Sequence, residues 1–114
     1  MTVKNFKPYF LDILDSIRKI ESFILGMSYE KFENDEKTVY AVIRALEIIG
    51  EASKKISQEI QSNYPQIPWR SMAGTRDVLI HDYFGIDKEV IWKTITTDIP
   101  PLKLEIESAL KDFV

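Results

Sequence analysis

Arg76, Asp77, His81 and Tyr83 fall within eight residues of one another in the stretch GTRDVLIHDYFGID, Gly74 to Asp87, which holds the single histidine of the chain. An imidazole titrates near neutral pH, so His81 could take a proton from a hydroxyl or return one to a leaving oxygen. The guanidinium of Arg76 is a planar, permanently charged donor matched to phosphate oxygens, and it could stabilise charge building at phosphorus. Tyr83 could hydrogen-bond a phosphate or stack on a base. These residue types suit cleavage of a phosphodiester whose ribose carries a 2′-hydroxyl, with no metal required.

On an α-helix each residue advances about 100°. Asp77 and His81, four apart, therefore sit one turn above another, and the carboxylate could fix the imidazole tautomer and favour its charged form. Arg76 lies five residues before His81, about 140° around the axis. Within one straight helix that pair does not share a face; two copies related by a twofold axis could contribute both groups to one cleft. The plainer alternative is a histidine at a helix C-terminus, favoured there by the helix dipole. The residues alone leave both open.

The elements that must position this segment read as helices. Residues 6–25 carry an apolar stripe, Phe10, Ile13, Leu14, Ile17, Ile20 and Ile24, at three- and four-residue spacing. Gly26 stands where a left-handed C-terminal cap is expected, and Ser28 is placed to cap a short turn through Phe32. Asn34 or Asp35 caps a second helix predicted to run from about Asp35 to Gln61. Tyr40, Ile43 and Ile48 lie off its main stripe, as expected of a helix central in a bundle or at an interface. Pro65 and Pro68 break the chain, and Pro68 suits the first turn of a third helix from Trp69 to about Asp82. Gly85 allows a reversal, Asp87 caps a fourth helix, and Ile86 with Ile91 forms a hydrophobic staple. TTDIPP predicts a further break, with Asp98 capping a last helix through Phe113. No stretch alternates with period two. The expectation is an all-α protein of four main helices plus short pieces, one domain over residues 1–114.

Composition narrows the chemistry. The 114 residues include no cysteine, which excludes disulfides, thiolate metal sites and cysteine nucleophiles. One histidine excludes a His-rich zinc site within a single chain, although a carboxylate-only magnesium site stays open. Glu47 and Glu51, one turn apart, could bind a metal, or form a solvated face or ion pairs with Arg44, Lys54 or Lys55. No metal and no cofactor are expected at the motif. Trp69 and Trp92 read as core or interface aromatics rather than base-stacking platforms, and the SKK cluster at Ser53–Lys55 reads as surface. The net charge of −3 argues against a broad nucleic-acid-coating surface but permits contact with a few phosphates. Neither a signal peptide nor an apolar run long enough for a membrane span is seen, so a cytoplasmic location and no membrane association are expected.

The segment also resembles a known family. Arg76, four intervening residues, then His81-Asp82-Tyr83 is similar to the R-x4-6-H-x-Y motif of the HEPN superfamily. AVIRALEIIGEASKKIS, IPWRSMAGTRDVLIHDYFGID and TDIPPLKLEIE resemble its HepT-like branch, with matching order and spacing over nearly the whole chain. The resemblance implies an antiparallel bundle of four to five helices, HEPN-like and homodimeric, with motif residues of both copies facing a shared cleft. It implies a metal-independent endoribonuclease acting on RNA as the toxin of a toxin–antitoxin pair. The implied partner is an MNT-type nucleotidyltransferase antitoxin that silences the toxin by AMPylation of the motif tyrosine. Carried over by position, Arg76 and His81 become the catalytic pair and Tyr83 the modified residue; Asp77 is added from the geometry above as a supporting group. The competing function is a non-catalytic, nucleotide- or substrate-binding adaptor subunit of a nucleotidyltransferase.

Overall fold

The computed structural model describes residues 5–74 and 87–113, and every regular element among them is helical. The first helix, α1, spans Lys7–Phe23 with a proline in its first turn, where a missing N–H leaves no intrahelical bond unmade. Phe10, Ile13, Leu14, Ile17 and Ile20 form its buried stripe, as the periodicity predicts. Gly26 ends the helix region with φ +75°, the left-handed geometry expected of it. Ser28 then caps α2, Tyr29–Glu33, its hydroxyl accepting from the Lys31 amide at 3.2 Å. Asp35, rather than Asn34, caps α3: its Oδ1 accepts from the Thr38 amide at 3.1 Å.

The second predicted helix is shorter than its pattern suggests. α3 runs Glu36–Lys55, Ile56 turns extended with ψ 127°, and α4 resumes as Gln58–Ser62. Local polar groups make this interruption stable. The Ser57 hydroxyl accepts from the Ile60 amide at 3.3 Å and restarts the helix. Gln61 donates from Nε2 to the carbonyls of Ser53 and Ile56 at 3.1 and 3.0 Å, satisfying acceptors that a helix end would otherwise strand. Ile56 is thereby turned into the core.

After a turn, helix resumes over residues 69–74 (α5) up to the edge of the described chain. Beyond it, Asp87 caps α6, Lys88–Lys93, accepting from the Val90 amide at 3.2 Å. Ile86, the other half of the expected staple, lies outside the described residues. The expected break at TTDIPP is absent. A π-turn, Thr94–Asp98, joins α6 directly to α7, Ile99–Leu110, with helical dihedrals throughout and no capping bond from Asp98. Pro100 and Pro101 explain the wider turn. Neither can donate, so Ile99 is the last donor before them, and its amide reaches back five residues to the Thr94 carbonyl. The Thr94 and Thr96 hydroxyls donate to the Val90 and Trp92 carbonyls at 2.8 and 2.7 Å.

α1 packs on both α3 and α7, and α2 packs on α3 and α6. The α1–α7 pair is antiparallel. Phe10 meets Phe113, Arg18 lies 3.9 Å from Glu107, and Lys103 lies 2.9 Å from Glu21. These exposed ion pairs fix little energy; the buried stripes of α1, α3 and α7 supply the core. On α3, Tyr40 is exposed while Ile43 and Ile48 are half-buried. No helix among the described residues is long and apolar enough to cross a membrane.

Candidate active site

Arg76, Asp77, His81 and Tyr83 all lie outside the described residues, as does Gly85. The structure describes the two flanks from which that segment departs, at residue 74 and at residue 87, and each flank is tied down by its own set of contacts.

The upstream flank is the sequence NYPQIPW, in which two prolines prevent helix. Backbone turns close it: the Ile67 amide donates to the Tyr64 carbonyl at 3.1 Å and the Trp69 amide to the Ile67 carbonyl at 2.9 Å. Trp69 also donates from Nε1 to the Tyr64 carbonyl at 3.1 Å. Its ring meets Phe10 edge-on, centroids 5.8 Å apart at 89°. Tyr64 packs on the same Phe10 at 5.7 Å and donates its hydroxyl to Asp112 at 2.8 Å. Burial, reinforced by the Asp112 carboxylate, pushes this phenol up from 10.0 to about 12. Ile67 and Met72 are buried, so the start of α5 is pinned on its inner side. The Met72 amide donates to the Pro68 carbonyl at 3.0 Å, which confirms the expected first turn.

The downstream flank rests on α2. Lys88 donates from Nζ to the Glu33 carbonyl at 3.0 Å, joining α6 to the end of α2. Trp92 stacks against Phe32 and Tyr29, centroids 5.1 and 6.1 Å apart. Tyr29 has its phenol raised from 10.0 to about 12, by partial burial first, then by hydrogen bonding to Glu33 and by the negative charges of Glu33, Glu89 and Asp87. This flank is therefore locally acidic. Both tryptophans are half-buried against the core, in keeping with their expected packing role.

The other charged candidates divide. Lys54 and Lys55 are exposed, whereas Ser53 is buried and donates to the Gly50 carbonyl at 2.8 Å, so only the lysines of SKK belong to the surface. Glu47 and Glu51 are half-buried on α3, and no group of three or more metal-ligating side chains occurs among the described residues. Sequence inspection misses the two long-range ties, Lys88 to Glu33 and Tyr64 to Asp112. Partners separated by 55 and 48 positions leave no periodic signal.

Comparison with known proteins places this geometry in context. Residues 13–109 match the family described as Ribonuclease HepT-like. A protein named "Probable ribonuclease HepT" from Thermococcus cleftensis is 51% identical over 108 residues, covering 95% of this chain and 98% of the relative. Two proteins of Methanocaldococcus jannaschii that carry provisional RNase names are 45% and 46% identical over 113 residues, covering 99% of this chain and 93% and 97% of their own lengths. No solved structure matches the chain.

Proposed function

This chain belongs to the HepT-like ribonuclease family, and on that premise we propose that it is a metal-independent endoribonuclease toxin. The observation that carries the proposal is that the family match over residues 13–109 contains the complete Arg76-x4-His81-x-Tyr83 pattern. His81 takes the proton of the ribose 2′-hydroxyl. The freed oxygen attacks phosphorus, the bond to the 5′-oxygen breaks, and that oxygen leaves with a proton from an imidazolium of the paired copy. The products are a 2′,3′-cyclic phosphate and a 5′-hydroxyl. Arg76 neutralises the charge gathered on the phosphoryl oxygens, and Asp77 orients His81. A homodimer answers the 140° separation between Arg76 and His81 by pooling side chains from two copies.

Silencing follows from the same chemistry. An MNT-type nucleotidyltransferase partner transfers AMP from ATP to the Tyr83 phenol oxygen, releasing pyrophosphate. The attached phosphate then occupies the charge complement of Arg76 and His81 that substrate needs. The second reading, a non-catalytic adaptor for the transferase, is favoured by the acidic flank of Glu33, Asp87 and Glu89, which would repel an RNA backbone.

Purified protein incubated with RNA in chelator separates the two. Cleavage ending in cyclic phosphate, lost in His81→Ala and in Arg76→Ala, is the expected result. Undiminished cutting by either variant, or intact RNA with the wild-type protein, rejects the nuclease assignment.

A further inference from the structure

A cavity opens between the middle of α3, the first turn of α5 and the π-turn. Leu46, Ile49, Ile99 and Leu102 form its buried apolar floor. Asp98 stands exposed at the mouth and Thr94 is half-buried. Both ends of the π-turn therefore line the space, and π-turns inside α-helices gather at functional sites. The cavity measures about 60 Å³. An apolar cavity of about 150 Å³ stays dry and takes benzene, so this smaller one is sized for a short aliphatic chain and not for a ring. Its floor offers water no polar partner, whereas a buried water needs about two to four. The floor thus favours an alkyl group over solvent.

The mouth sets the head group. The Asp98 carboxylate makes no capping bond with the helix it precedes, and among the described residues it forms neither a hydrogen bond nor an ion pair. Ionised, it can only accept. The Thr94 hydroxyl already donates to the Val90 carbonyl at 2.8 Å, so its oxygen too has only lone pairs left to offer. Among the described residues lining the cavity, Asp98 is the only charged one. A ligand carboxylate meets like charge there, whereas an ammonium meets opposite charge and acceptors for its N–H groups. We infer that this cavity binds a small aliphatic amine, its alkyl chain on the floor and its ammonium at the mouth beside Asp98 and Thr94. No residue of the Arg76–Tyr83 motif takes part, so the site stands whether or not the chain cuts RNA. An occupant touches α3, α5 and the π-turn together and stabilises the folded chain by mass action.

The test uses the full chain with labelled isoleucine and leucine methyls, titrated at neutral pH with isopentylamine, isopentanol, isovalerate and benzylamine. The methyls of Leu46, Ile49, Ile99 and Leu102 should shift saturably with isopentylamine, while those of Ile13 and Ile17 on α1, which line no part of the cavity, should stay still. Isopentanol keeps the tail without the charge and should bind about three- to fivefold more weakly, the worth of one exposed ion pair. Isovalerate should give no shift, and benzylamine, whose ring exceeds the cavity, should bind more weakly than isopentylamine. Asp98→Asn, a change at an exposed position, should bring isopentylamine down to the isopentanol level; still α1 methyls show that the variant is folded. Isopentylamine should also raise the Tm of the wild type more than that of Asp98→Asn. Equal response to the amine and to isovalerate, an amine preference that survives in Asp98→Asn, shifts mapping elsewhere, or no shifts at all overturns the inference.

Discussion

Phe10 is the side chain on which the upstream flank of the motif turns, and Phe10→Leu measures how much. The ring is fully buried and touches three others, Tyr64 at 5.7 Å, Trp69 at 5.8 Å and Phe113 at 5.1 Å. Leucine keeps most of the transfer free energy of burial but loses the ring–ring terms, each about 0.5–1.5 kcal/mol. The three share one ring and are not additive, so the expected cost is about 2 kcal/mol. At about 2.1 cal/mol/K of unfolding entropy per residue, this chain length gives about 0.24 kcal/mol/K, and the predicted fall in Tm is about 8 °C. Calorimetry should be run at one fixed protein concentration, because any self-association makes Tm concentration-dependent. Leu11→Ala, one residue along on the exposed side of α1, should move Tm by about 2 °C or less. If Phe10 acts through Trp69, Phe10→Leu with Trp69→Leu should cost about 1 kcal/mol less than the two singles summed. A fall under about 3 °C, or strict additivity in the cycle, refutes the packing argument.

Asp35 caps α3, and the Thr38 amide, followed by the Thr38 hydroxyl, holds its carboxyl below the ordinary 3.8. A lowered carboxyl contributes stability that is present above 3.8 and lost as pH falls through the folded value. Asp35→Ala should therefore melt lower than wild type at neutral pH and converge with it in acid, while Asp35→Ser should keep its cap throughout; a gap that persists below the folded value counts against the capping role. Tyr64 has the opposite sign: its phenol is raised to about 12, so its contribution is complete below 10.0 and disappears as pH rises through about 12. Phenolate absorbance should show a late-titrating tyrosine that is lost in Tyr64→Phe and titrates earlier in Asp112→Asn; an unmoved curve in Asp112→Asn contradicts the contact. Lys88→Met keeps the apolar stem and deletes the donor to Glu33, so amide exchange should quicken across residues 29–34 and stay unchanged in α1, with equal exchange in both proteins as the outcome that rejects the tie.

Local rules carried much of the fold. Gly26, Ser28, Asp35 and Asp87 each end or begin a helix where residue type alone demands it, because capping needs only a hydroxyl, a carboxylate or freedom at positive φ within three residues. Two elements resisted. The α3 pattern continues past Lys55, yet Gln61 supplies the Ser53 and Ile56 carbonyls with donors and makes a break as satisfied as a helix. Pro100 and Pro101 read as a stop, whereas one five-residue amide bond, Ile99 to Thr94, carries the helix up to them inside a continuous rod. In the first case side-chain hydrogen bonds replaced backbone ones, and in the second a backbone bond changed its register from four residues to five; periodicity registers neither. The family was legible in the motif's residue types and spacing, and the match over residues 13–109 bears that out; the ties that hold its flanks were not, since each joins residues about fifty positions apart.

Those ties bear on how the short motif segment is held on so small a bundle. The upstream flank is anchored to α1 and to Asp112 just beyond α7, through Phe10, Trp69 and Tyr64. The downstream flank is anchored to α2, through Phe32, Tyr29 and the Glu33 carbonyl. The two ends of the segment carrying Arg76, His81 and Tyr83 thus rest on different elements, which are joined through the packed core of α1, α3 and α7 and through the continuous run of α6, the π-turn and α7. The separation of the flanks is therefore held by the core together with that rod. A close-packed interior yields little to local stress, so the span between residues 74 and 87 is set by side chains packed on α1, α2 and α7 rather than by the motif residues themselves.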